Sequence, residues 1–219
     1  MNPAILVPVK DPVHAKSRLA PLLNADERAA VACALLEDLI AALLPLPWPV
    51  VVATSSARTE ARIRRLGWQI IHEKTQTSES ASVDEASRQL AARGFDAVLR
   101  LPADLPLIST ADAAELLSQS IPSPGAVIVP SRDGTGTNAL LRHPPGIFPS
   151  LFGPDSFAGH IREALAAGAR TRIIVNPRIA LDLDDPADIN HFLTQAAAGE
   201  TCRVLLKLRV KERLSCHGG

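Results

Sequence analysis

Asp104 is a lone carboxylate held between two prolines, in the stretch Leu101-Pro102-Ala103-Asp104-Leu105-Pro106. Residues 97–101 before it are apolar except for Arg100, too few for a helix, and end at a proline. That pattern predicts a buried strand of a parallel sheet. Asp104 then falls just past the strand's C-terminal end, where ligands collect in open α/β sheets. Proline on both sides fixes φ and stiffens the turn. A rigid carboxylate there suits Mg²⁺, which takes one or two carboxylates together with phosphate oxygens. The plainer alternative is an Asp that caps a turn.

Three cations, Lys10, Lys16 and Arg18, follow another β-branched run, residues 4–9. In a parallel sheet they share the rim of Asp104. Cations beside a carboxylate suit a polyphosphate with its metal, since charge neutralisation is the main device of phosphoryl-type transfer. Asp182 and Asp184 end a further predicted short strand, residues 180–183, and alternation puts both on one face. Either could supply a second carboxylate, whereas Asp185 before Pro186 reads as a helix cap. Gly153-Pro154-Asp155-Ser156 offers N–H groups at a predicted helix start, an anion site in principle. The hydroxyls of Thr137 and Ser156 could orient a small acid. Gly134-Thr135-Gly136 follows a fifth strand and precedes another strand, so it is not a dinucleotide fingerprint. It remains a loop whose N–H groups could approach an anion. His14, His72, His143, His160, His191 and His217 fit no metal spacing. His160 reads as a helix-face residue.

The elements that must position these groups alternate. Strands are predicted at 4–9, 49–54, 68–72, 97–101 and 125–130. Helices are predicted from Asn24, whose capping box closes on Glu27, then at 57–66, 82–93 and 110–118, the last capped by Ser109 with Asp112. The alternation argues an α/β fold, a mostly parallel sheet with helices on both faces. The pattern then breaks into a polar Gly-rich loop, a short strand at 139–141, and a helix at 157–167 capped by Asp155 or Ser156. A short strand at 172–175 follows, then a last helix after Asp185. Residues 1–198 form the predicted domain. The tail, 199–219, carries five basic residues and alternates over 206–211. It reads as an exposed edge strand or a poorly ordered end, and the alternation hints at strand pairing in a homodimer.

Composition narrows the function classes. The charges balance at 23 basic and 23 acidic residues, and there is no Tyr, with only two Trp and five Phe. Nucleic-acid binding is therefore not expected. Cys33, Cys202 and Cys216 are odd in number and scattered, which fits a reducing cytosol rather than a disulfide framework. The start has no basic segment of a signal peptide, and residues 40–53 are cut by three prolines, so no membrane span is expected.

Five ordered motifs then resemble the 2-phospho-L-lactate guanylyltransferase family, which helps make the deazaflavin coenzyme F-420. They are Val-Pro-Val-Lys…Ala-Lys-Ser-Arg-Leu at 7–19, Leu-Pro-Ala-Asp-Leu-Pro at 101–106 and Asp-Gly-Thr-Gly-Thr-Asn-Ala-Leu at 133–140, with Phe-Gly-Pro-Asp-Ser-Phe at 152–157 and Leu-Asp-Leu-Asp-Asp-Pro-Ala-Asp at 181–188. The resemblance covers residues 4–195. It implies a nucleotidyltransferase fold of the glycosyltransferase-A type, with GTP, Mg²⁺ and a phosphorylated three-carbon acid as reactants. It implies that Asp104 is a metal carboxylate; beside it the residues themselves offer Asp184 as the expected second, with Asp182 the alternative. Thr137, Gly153 and Ser156 match the residues that hold the acid. Lys16 and Arg18, with Lys10 nearby, match the triphosphate loop. Many members carry a Gly-Leu-Asn-like segment near the base; here it reads Ser78-Glu79-Ser80-Ala81-Ser82-Val83. The acid is then 2-phospholactate, phosphoenolpyruvate or 3-phosphoglycerate.

Overall fold

A computed structural model describes residues 1–12, 15–73, 78–195 and 198–217, with residues 216 and 217 described for backbone only. The expectation concerning His14 lies outside the described residues. Seven strands form one sheet: β1 (Pro3–Pro8), β2 (Val50–Thr54), β3 (Gln69–His72), β4 (Ala97–Arg100), β5 (Gly125–Pro130), β6 (Thr137–His143) and β7 (Arg170–Ile173). Their order is β3-β2-β1-β4-β6-β5-β7. β6 runs antiparallel to both β4 and β5, and the other pairings are parallel. The mainly apolar composition of β1, β2 and β4, broken by Thr54 and Arg100, suits strands buried on both faces.

The helices are α1 (Ala25–Leu43), α2 (Ala57–Arg64), α3 (Glu79–Ala92), α4 (Thr110–Ser118), α5 (Ser156–Ala166), α6 (Pro177–Ala180), α7 (Pro186–Thr194), α8 (Glu200–Lys207) and α9 (Val210–His217). Capping boxes start α1, α4 and α7 at Asn24, Ser109 and Asp185, as their sequences require. α1 and α4 pack on one face of the sheet through Leu39, Leu43 and Leu116, and α3 packs on the other through Val83, Ala86 and Leu90. None of the described helices is long and apolar enough to cross a membrane.

Several local expectations are corrected. α3 begins earlier than residue 82, because Ser78 caps it by accepting the Ala81 N–H. The strand expected at 172–175 is β7, Arg170–Ile173. The strand expected at 180–183 is not formed: Pro186 and the Asn176 cap bracket a one-turn helix, α6, and an extended link. The alternation survives in that link, with Leu181 and Leu183 buried and Asp182 and Asp184 turned the other way. Over its described residues the tail forms two helices, α8 and α9, rather than an edge strand. Thr201 and Leu205 are buried and Leu208 packs against the same cluster, a helical spacing. Leu205 joins Val31, Leu35 and Phe192 in that core cluster. Asp38 on α1 accepts the N–H groups of Glu200 and Thr201 at 2.7 and 2.8 Å, which anchors α8. With that, the strand-pairing argument for a homodimer loses its basis.

Candidate active site

A cavity of about 1020 Å³ opens over the C-terminal ends of β1 and β4. Lys10, Lys16, Arg18, Asp104, Thr137, Gly153, Ser156 and Asp184 all line it. The fold thus brings together residues spread over most of the chain.

One half of the cavity is ionic. The Lys16 ammonium lies 2.8 Å from Asp104 Oδ2 and 2.9 Å from Asp184 Oδ1. Arg18 is exposed, with Nη1 3.5 Å from Asp184 Oδ2. Leu183 donates its N–H to the Asp104 carbonyl at 3.1 Å, which stitches the two carboxylate-bearing loops together. Burial alone would make the Lys16 ammonium more acidic, but Asp104 and Asp184 hold its pKa above the ordinary value. Burial opposes ionisation of Asp184 as well; Lys16, then Arg18 and Lys10, keep that carboxyl below its usual range. Lys16 has φ of 58°, a left-handed conformation that a non-glycine residue adopts only when its surroundings impose it.

A third carboxylate completes the cluster. Oxygens of Asp104, Asp182 and Asp184 lie within 4.8 Å of one another. Burial, then the Asp104 charge, pushes Asp182 up to about 6, against a hydrogen bond from Asn138 Nδ2 at 3.2 Å. Asp104 Oδ1 is buried and has no hydrogen-bond partner among the described residues. Three converging hard oxygen donors, one with an unsatisfied atom, fit a divalent cation such as Mg²⁺.

The other half of the cavity is neutral and pinned by hydrogen bonds. Thr137 opens β6 and is nearly fully buried. Its hydroxyl lies 2.9 Å from Nδ1 of His160. Ser156 opens α5, and its hydroxyl makes no hydrogen bond among the described residues. Asp155 occupies the N-cap position with φ of 54° and gives no side-chain cap, so neither Asp155 nor Ser156 caps α5 as expected. The Ser156 N–H turns back to the Gly153 carbonyl at 3.3 Å, and the Phe157 N–H donates to the Thr135 carbonyl at 3.0 Å. Gly153 has φ of 130°, open only to glycine, with no heavy atom within 4 Å of an added Cβ.

The Gly-rich loop is not the anion cradle that its composition suggests. The N–H groups of Gly134, Thr135 and Gly136 go to the Ser131 carbonyl, Asp133 Oδ1 and Ser131 Oγ, at 2.9, 3.0 and 2.7 Å. Asp133 accepts from Ser131 Oγ and Thr135 as well, and these bonds lower it to about 2. The loop closes on its own side chains and carries Thr137 into place.

Sequence reasoning missed the support beneath this half. Arg100 is buried, pairs with Glu79, donates to the Thr137 carbonyl at 3.3 Å and stacks 4.1 Å over the Phe152 ring. Its signal was visible as the one charge in an apolar strand. His160 and Asn138 gave no comparable signal.

Solved nucleotidyltransferases share this fold. The chain superposes on a nucleotidyl transferase from Methanothermobacter with a TM-score of 0.64, at 16% identity over 88% of this chain and 98% of that one. A 4-diphosphocytidyl-2C-methyl-D-erythritol synthase gives a TM-score of 0.60 at 13% identity, over 87% and 96%. The profile of the family described as "Guanylyl transferase CofC like" matches residues 3–216, the helical tail included. The chain belongs to that family of guanylyltransferases. It is 37% identical to the phosphoenolpyruvate guanylyltransferase of Rubrobacter xylanophilus, over 86% of this chain and 92% of the relative. It is 30% identical to the 2-phospho-L-lactate guanylyltransferase of Methanothermobacter thermautotrophicus, over 95% and 92%. It is 31% identical to the 3-phospho-D-glycerate guanylyltransferase of Colwellia psychrerythraea, over 86% and 90%.

Proposed function

We propose that the chain transfers GMP from GTP to the phosphate of a three-carbon phospho-acid, releasing pyrophosphate, in coenzyme F-420 biosynthesis. The observation that carries this reading is the division of one cavity into an ionic half and a hydroxyl-bearing half. The ionic half suits a triphosphate: Lys10, Lys16 and Arg18 supply cations along the cavity wall. Asp104 and Asp184, with Asp182 beside them, would hold Mg²⁺, which neutralises charge on the phosphates. Thr137, Gly153 and Ser156 would hold the acid. No protein nucleophile is required, because the acceptor phosphate is already anionic near neutral pH. It attacks the α-phosphorus in line, and Lys16 and Arg18 steady the leaving pyrophosphate.

The 37% identity to a phosphoenolpyruvate guanylyltransferase supports phosphoenolpyruvate as the first acceptor to test. The test is pyrophosphate release from each of the four nucleoside triphosphates with phosphoenolpyruvate, 2-phospholactate and 3-phosphoglycerate. Release is expected with GTP and one of these acids. Release only with a sugar phosphate or another small phosphate would overturn the acceptor class. Nucleotide binding without turnover under every pairing would leave a binding protein.

A further inference from the structure

His160 lies on α5, behind the cavity wall, wholly buried. Its ring touches both sides of the neutral half. The backbone N–H of Leu151 donates to Nε2 at 2.9 Å, and Nδ1 sits 2.9 Å from the Thr137 hydroxyl oxygen. An amide N–H can only donate, so Nε2 must be the bare nitrogen. In a neutral ring the proton is then on Nδ1. The ring is kept neutral by burial, and by Arg142 and Arg100 nearby, which lower its pKa to about 4. Nδ1 therefore donates, and the Thr137 oxygen accepts. Thr137 makes no other hydroxyl bond among the described residues, so its own proton is left to point at the cavity it lines.

We infer that His160 is a positioning residue that fixes the Thr137 hydroxyl as a hydrogen-bond donor toward the anionic acceptor. Without it, that hydroxyl could turn a lone pair to the anion instead. The same ring ties the segment at Leu151, two residues before Gly153, to the start of β6. The two sides of the acid pocket thus share one register. The inference rests on the assignment of Thr137 to the acid.

The test compares His160→Gln, His160→Asn, Thr137→Val and the double variant His160→Gln/Thr137→Val, in steady-state titrations of acid and GTP. Asparagine can place an amide donor where Nδ1 is; glutamine reaches only to the Nε2 position. Thr137→Val should raise the acid KM about tenfold, the low end for a hydrogen bond to a charged group. His160→Gln should raise it to a similar extent, with the GTP KM and kcat near the parent's. His160→Asn should recover most of the acid KM, and the double variant should be no worse than Thr137→Val. If Thr137→Val leaves the acid KM unchanged, the assignment of Thr137 falls and this inference with it. If Thr137→Val raises it while His160→Gln does not, the inference alone is overturned. Should His160→Gln fail to fold, ¹⁵N NMR of the unaltered protein decides. A proton on Nδ1 with Nε2 bare supports the inference; a proton on Nε2, or a doubly protonated ring, overturns it.

Discussion

Lys16 and Arg142 are both buried cations held by carboxylates, with side chains 7% and 2% exposed. Their surroundings differ in kind. Arg142 on β6 is sealed: its guanidinium meets Asp84 at 2.8 Å, the Phe148 carbonyl at 2.6 Å and the Ser87 hydroxyl at 3.0 Å. Asp84 is itself closed by the Ser150 N–H and hydroxyl. Lys16 meets two carboxylates that line an open cavity, and one of them keeps an unsatisfied oxygen. Full satisfaction marks a cation that holds the fold together; incomplete satisfaction at a cavity marks one with a ligand to meet.

The contrast breaks most readily at Arg142. Arg142→Met leaves the third-exposed Asp84 without its counter-charge and the buried Phe148 carbonyl and Ser87 hydroxyl without their donor, together about 3–5 kcal/mol. For a chain of this size that lowers Tm by roughly 6–20 °C in a thermal melt. A variant that melts with the parent would put Arg142 in the same class as Lys16.

Asp104→Asn tests the opposite corner. Turnover should fall by about 100-fold or more, on the order of 3 kcal/mol in the barrier, while the melt falls less than for Arg142→Met, because Asp184 still faces Lys16. Mg²⁺-dependent activity close to the parent's in the purified variant would remove Asp104 from the metal site.

Within the cavity the two halves should separate by substrate. Ser156→Ala is expected to weaken the acid roughly 10- to 150-fold, the range for one hydrogen bond to a charged group, with GTP affinity unchanged. Lys16→Ala should instead raise the GTP KM, by about tenfold, and less so at low ionic strength, where the remaining cations act over a longer range. A reversed pattern, with Lys16→Ala moving only the acid KM, would mean that the halves have been assigned the wrong way round.

The smallest effect lies outside the cavity, at Asp112. Burial opposes its ionisation, but Arg178, Ser109 and Asn176 hold its carboxyl far below the ordinary range. A carboxyl depressed in the folded state lends stability above its unfolded pKa and loses it as pH falls. Stability should therefore decline below about pH 4, and Asp112→Asn should flatten that part of a pH series of melts. An unaltered slope would assign the acid sensitivity to other groups.

What was legible in the sequence is what depends on local chain geometry. The capping boxes at Asn24, Ser109 and Asp185 closed as written, because each needs only residues three apart. Asp104 could be placed on the rim of the sheet, because a strand ending in proline fixes where the next residues go. The alternation at 181–184 gave the correct face for Asp182 and Asp184 even though no strand formed, since an extended chain has the same period without sheet partners. The reading failed where one segment carries two periods: 206–211 alternates, but buried Thr201 and Leu205 recur with Leu208 as a helix, and docking on α1 decided between them.

Tertiary structure alone decided the rest. Lys16 and Asp184 are separated by 168 positions, and their contact depends on Leu183 docking to the Asp104 carbonyl. That the Gly-rich loop spends its N–H groups on Ser131 and Asp133, rather than on an anion, follows from how the loop closes. The role of His160 depends on which backbone N–H reaches Nε2, and Leu151 is fixed only by the packed loop. Sequence determined the chemistry available and the rim it would occupy. Which groups meet, and which remain free to bind, was set by contacts between distant segments that no local pattern encodes.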